Sequence, residues 1–237
     1  MKPSPVRKKD ILDKITYATY RHQELMNALF ESKKASSDPK FLVHASAEIL
    51  STVRECFDYL AQDIFECHIL PFTTNQKLKN NYADGKLKVY FPYYESQVNK
   101  PGTVFSELNT INALLYKVLL DFTHSIANNA PIPNTLFTYK ILLDVKEMVN
   151  EKKHDKLIGI VSGTDRELLV ESNSKKMLLP LSNQSGWYYF LAEPGAVVQK
   201  ASEYRFSFNN QEVGKFCLFA TKSTELVIKD LYQAHFA

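Results

Sequence analysis

Glycine is scarce in this chain, 7 in 237 residues, and none of the seven lies in a Gly-rich phosphate loop. Such loops need glycine where the backbone closes on a pyrophosphate or a triphosphate, so dinucleotide-binding and P-loop enzymes are excluded. His-Glu-x-x-His, Cys-x-x-Cys and Gly-x-Ser-x-Gly are missing as well, which removes the common zinc, redox and serine-hydrolase motifs. The three cysteines, Cys56, Cys67 and Cys217, have a spacing that fits neither a paired metal site nor a disulfide framework. Cys56 and Cys67 fall near the apolar face of a helix, where a buried thiol behaves as a small hydrophobe. No run approaches the roughly 18 apolar residues of a membrane span. The charged opening "MKPSPVRKKD" is not followed by an apolar region, so neither a signal peptide nor a membrane partner is expected, and the expected compartment is a reducing cytoplasm. Excess charge is also lacking: 29 Lys and Arg against 26 Asp and Glu leave a formal +3, too little to demand a nucleic acid on electrostatic grounds. The basic pairs Lys33-Lys34, Lys152-Lys153 and Lys175-Lys176 read as solvated surface.

What remains is ordinary globular composition, 45% hydrophobic and 23% charged, in a chain long enough to bury roughly 70% of its unfolded surface. Apolar residues at helical spacing predict a first helix over 10–32 (Ile11, Ile15, Ala18, Leu25, Leu29), capped by Asp10. The Ser- and Lys-rich stretch closed by Pro39 is a loop. A second helix over 41–69 carries the stripe Leu50, Val53, Phe57, Leu60, Ile64, with Glu66 on the opposite face. The turn "NNYADG" and the run "KLKVYFPYY", a short strand or an extended segment, precede a third helix over 104–127 and a fourth over 135–151 that buries Leu136, Ile141, Leu142, Val145 and Val149. From Leu157 the period falls to two. "KLIGIVSG", "ELLVES", "KKMLLPL", "GWYYFLAEP", "YRFSFN" and "EVGKFCLFA" read as antiparallel strands, followed by a closing helix capped by Thr221 or Ser223. The expected fold class is α+β: an N-terminal antiparallel four-helix bundle over 1–155, then an antiparallel β region and a C-terminal helix over 156–237 that packs back on the bundle.

Candidate chemistry is confined to a few polar residues. His22 shares the core face of the first helix, as a hydrogen-bonded core histidine or a functional base. His124 is expected exposed, His68 near the apolar arc, and His235 in the tail. Arg54 and Asp58, four residues apart, lie at the border of the second helix's apolar face. They form either a clamp to a neighbouring element or one wall of a polar site, because an Arg fork can serve its Asp and a further acceptor at once. Asn150, Lys153 and His154, between the fourth helix and the first strand, supply either a helix C-cap or the opposite wall.

Three motifs in order, an Arg-x-x-x-Asp helix ("TVRECFDYLAQDIF"), a Phe-Pro segment ("YFPYYES") and an Asn-x-x-Lys-His motif ("NEKKHDKL"), resemble a widespread group of bacterial proteins whose helical part is similar to the HEPN superfamily. The resemblance spans about residues 41–161. It implies a helical bundle that commonly dimerises and, in active members, an RNase site built from an Arg followed within a few residues by a His on one helix. Here Tyr59, Leu60 and Ala61 occupy the positions where that His would fall. The resemblance therefore implies a HEPN-like homodimeric module without the usual RNase histidine, binding RNA or a protein partner, in a bacterial stress or defence system. Two alternatives stand beside it: a metal-independent ribonuclease using Arg54, Asp58 and His154, and a purely structural oligomeric subunit. No cofactor and no metal are expected.

Overall fold

The first helix, α1 (Lys8–Ala35), starts two residues before the expected cap. Asp10 sits inside its first turn, where a carboxylate complements the positive end of the helix dipole. This computed structural model describes residues 4–35, 40–153, 158–171, 176–180 and 197–236. The second helix, α2 (Lys40–Ile64), continues into a single π-turn, Phe65–Ile69, closed by Leu70 N–H donating to the Phe65 carbonyl at 2.8 Å. Then come α3 (Gln76–Ala83), α4 (Glu95–Asn99), a 3-10 turn (Val104–Glu107), α5 (Leu108–Ile111), α6 (Ala113–Ala127) and α7 (Lys140–Lys153).

Several of these depart from the periodicity for local reasons. "NNYADG" is the end of α3, capped by Asn75, whose side chain accepts from Leu78 N–H. The expected third helix is broken at Asn112, which leaves helical geometry (φ −150°, ψ 79°) and turns its side chain onto Leu115 N–H as a fresh N-cap. The expected fourth helix loses its first turn. Thr135 Oγ1 bonds the Ile132 carbonyl and receives Phe137 N–H, a side-chain turn that competes with helix, and Leu136, expected in the core, is fully exposed.

By packing, the chain divides into two compact units, each gathered from separated stretches, whereas the sequence cut at residue 155 follows chain order. The first unit comprises Met1–Ala18, Leu50–Glu147 and Phe219–Ala237. Its core joins Ile11 and Ile15 to Phe57, Leu60 and Ile64 of α2, Leu115, Leu119 and Phe122 of α6, and Ile228 and Leu231 of the last helix. Residues 86–93 run extended through this unit and belong to no sheet among the described residues. Val89, Phe91 and Tyr93 are buried at 5% exposure or less while Lys88 is exposed and Tyr90 half exposed, the alternation of a strand with one wet face up to Phe91; Pro92 is buried as well, so the alternation ends there. Phe91 closes an aromatic cluster with Phe57 (4.9 Å between ring centres) and Phe122 (5.1 Å).

The second unit comprises Thr19–Ile49 and Met148–Leu218. Its described strands, β1 (Ile160–Glu171), β2 (Lys176–Pro180) and β3 (Val197–Phe206), form an antiparallel sheet in the order β2-β1-β3. "KLIGIVSG" and "ELLVES" join into the one strand β1, whose register slips between Ser162 and Glu167, and "GWYYFLAEP" lies outside the described residues. "EVGKFCLFA", expected as a strand, is instead the start of the closing helix α8 (Val213–His235). Glu212 caps it, accepting from Gly214 N–H at 3.0 Å and Lys215 N–H at 2.6 Å. Val213, Phe216, Cys217 and Ala220 are all buried at i, i+3, i+4, i+7. Thr221 and Ser223 thus lie inside the helix. Gly214 is closely packed there: a Cβ would sit 2.6 Å from Met26 Sδ and 3.1 Å from a Leu29 methyl, so a larger residue would have to displace those side chains. Among the described residues no helix is long and apolar enough to cross a membrane.

Candidate functional site

Arg54 and Asp58 face each other one turn apart on α2, Nη2 to Oδ2 at 3.2 Å, with side chains 11% and 13% exposed. The second carboxylate oxygen of Asp58 accepts from Phe91 N–H at 3.4 Å, and the Arg54 guanidinium lies 6.0 Å from the centre of the Tyr90 ring. The pair therefore ties α2 to the extended segment at two successive residues. Arg54 Nε is buried with no hydrogen-bond partner, an unmade bond that costs about 1–3 kcal/mol in desolvation. Burial drives the Tyr93 phenol far above its ordinary pKa, and the Asp58 charge adds to the shift; the ring serves as core and stays protonated.

The other expected wall is in the second unit. Asn150 lies half-buried on α7 and Lys153 is its last residue, whereas His154 lies outside the described residues. His22, expected on the core face of α1, has Nε2 at 2.9 Å from the Gly214 carbonyl, and burial lowers its pKa. That makes it a neutral ring pinned to the start of α8. His124 is half exposed, 3.3 Å from Glu95. Lys33, expected in water, is only 7% exposed. It lies in the second unit among the buried carboxylates Glu203 and Glu212, and burial brings its pKa down to about 8.

The largest polar network was invisible to periodicity. Asp63, fully buried on α2, accepts from Arg7 Nη1 at 3.0 Å and from the Tyr232 hydroxyl at 2.6 Å. Glu66 receives both terminal nitrogens of Arg7 at 2.8 Å each, and the Tyr82 hydroxyl donates to it. The bidentate Arg7 contact first, and the Tyr82 bond with it, hold the Glu66 carboxyl below its ordinary range. Burial first and then Glu66 push Tyr82 up to about 12. Helical periodicity puts Glu66 on the outer face of the helix, but it falls in the π-turn, where the wider winding resets which residues point where. Asp63 gave a readable signal: it lies three residues after Leu60 and next to Ile64, an acid on the apolar stripe.

The network is fully paired and closed on itself, so it fixes the N-terminus, the end of α2 and α8 together within the first unit. Among the described residues no group of three or more His, Cys, Asp or Glu could hold a metal ion. The three cysteines are buried thiols, and burial raises Cys56 to about 12 and Cys67 to about 11, which makes those two poor nucleophiles. No family model, no curated protein and no solved structure matches this chain.

Proposed function

We propose that the chain is a HEPN-like binding module without nuclease chemistry on α2, and that it binds single-stranded RNA along the extended segment. The observation that carries the reading is the outward face of residues 86–93: Lys86, Lys88 and Tyr90 are exposed in alternation while Val89, Phe91 and Tyr93 anchor the strip in the core. Lysines at strand spacing beside an exposed ring match what a single strand needs, charge for phosphates and a face for a base. Just beyond, Tyr94 is partly exposed with Lys146 Nζ 4.5 Å from its ring centre. The Arg54–Asp58 pair is then the clamp that holds the strip. The reading includes the finer expectations of an antiparallel four-helix bundle, a homodimer and a reducing cytoplasm.

Fluorescence anisotropy of a labelled 12-nucleotide oligouridylate tests it. Binding is expected to weaken steeply between 50 and 200 mM salt, and Lys88→Glu with Tyr90→Ala to lose at least tenfold. No binding, or binding indifferent to salt, overturns the RNA reading in favour of a protein partner. Metal-independent cleavage of the same RNA that disappears in His154→Ala would replace it with the ribonuclease reading built on Arg54, Asp58 and His154.

A further inference from the structure

Within the first unit, a cleft of about 400 Å³ opens between the start of α1 and the end of α8. Its walls are apolar: Leu12, Ile228, Phe236 and the ring of Tyr232. The aromatic floor is held in place. The Tyr232 hydroxyl is turned away from the cleft onto buried Asp63 at 2.6 Å, and its ring lies 4.8 Å from that of Phe236, which meets His68 edge-on at 4.8 Å. The polar groups sit on the rim, Lys8, Lys229 and Gln233, all exposed. Lys229 is paired with Glu225 at 2.7 Å, a carboxylate it shares with Lys222 at 2.9 Å. Lys8 lies 5.8 Å from the Tyr232 ring centre and has no carboxylate partner among the described residues.

A preorganised apolar floor, a volume within the ordinary range for small-molecule sites, and an excess of ammonium charge with an amide at the mouth describe one kind of ligand. We infer that this cleft binds an amphipathic monocarboxylate, with the hydrocarbon body on Tyr232 and Phe236 and the carboxylate at Lys8 and Gln233. Acids, not alcohols or amines, are selected, because only the anion gains from Lys8. Chain length is read by the walls. Each methylene buried should raise affinity about fourfold until the cleft is full, which is the transfer free energy of a CH₂ expressed as a ratio. The site shares no residue with the RNA strip, so either can fail alone.

The test is calorimetric titration of the full chain with sodium hexanoate, octanoate and decanoate, and with octanol and octylammonium at matched concentrations. The expected results are tightening from hexanoate to octanoate, octanoate at least tenfold tighter than octanol, and no binding of octylammonium. Lys8→Glu should abolish the preference for the acid, and Lys8→Arg should keep it. Lys8 is exposed, so an unchanged melting curve confirms that both variants fold. Phe236→Ala should weaken acid and alcohol alike. No heat with any acid, equal affinity for octanoate and octanol, or a Lys8→Glu variant that binds octanoate as wild type does would each overturn the assignment.

Discussion

Replacing Asp58 by Ala tests the clamp at its most sensitive point. The change strands the Arg54 guanidinium, only 11% exposed, without its counter-charge, and it leaves Phe91 N–H without its acceptor. Removing one partner of a buried pair costs about 3–5 kcal/mol; the remaining exposure of both side chains places Asp58→Ala near the lower end. At about 2–4 °C per kcal/mol for a chain of this size, the midpoint should fall by about 6–12 °C. Arg54→Ala should cost less, about 1–2 kcal/mol, because it also deletes the orphaned Nε, while Asp58 keeps the Phe91 N–H. The double variant should then cost less than the sum of the two, with a coupling of about 1–3 kcal/mol. The assay is urea denaturation followed by far-ultraviolet circular dichroism on the four proteins of the cycle. If Asp58→Ala stays within about 0.5 kcal/mol of wild type, or if the two changes add, α2 and the extended segment are not held by this pair and the reasoning fails.

Tyr232→Phe removes the hydroxyl that donates to buried Asp63, and urea denaturation should show a loss of about 1.5–3 kcal/mol, the range for a hydrogen bond to a charged group. Glu66 has its carboxyl held below the ordinary value of 4.5, chiefly by Arg7. Its contribution is complete above pH 4.5 and is lost as pH falls through its lower folded value, so Glu66→Gln should flatten the acid limb of melting temperature against pH below 4.5. Lys33 has the opposite sign. Its pKa falls from 10.5 to about 8 on burial, so between those values the unfolded chain binds more protons and stability should climb with rising pH. Lys33→Met should abolish that slope and raise stability at pH 7, both measured by melts from pH 7 to 10.5.

Where one periodic stripe decided the structure, the sequence was legible. The first expected helix lies within α1, and the second, third and fourth are found in part as α2, α6 and α7; the burial of Cys56 and Cys67 and the proximity of Arg54 to Asp58 followed from residue spacing alone. Side chains that bond the backbone were not legible. Asn112, Thr135 and Glu212 each moved an element boundary by a local hydrogen bond, and an apolar count has no entry for such bonds. "EVGKFCLFA" reads as a strand from its aromatic content, yet its buried positions step by three and four. Lys33, and the partners of Asp63 though not its place on the apolar stripe, show the remaining blind spot. A charge in the interior is set by partners remote in sequence, here Glu203 and Glu212 in one case and Arg7 and Tyr232 in the other.

The extended segment also bears on self-association. Residues 86–93 carry three aromatic side chains, Tyr90, Phe91 and Tyr93, and backbone that joins no sheet among the described residues offers a template for pairing with a second chain. Most of its second half is closed to such pairing. The Phe91 N–H is taken by Asp58, Pro92 has none, and the Tyr93 and Tyr94 N–H groups donate to Gln97 at 2.8 and 3.1 Å. The first half is guarded by the outward charges of Lys86 and Lys88. Loss of the Asp58 acceptor together with those two lysines would free the Phe91 N–H and strip the outward charges at once, so the clamp that orders this segment also closes it to edge pairing.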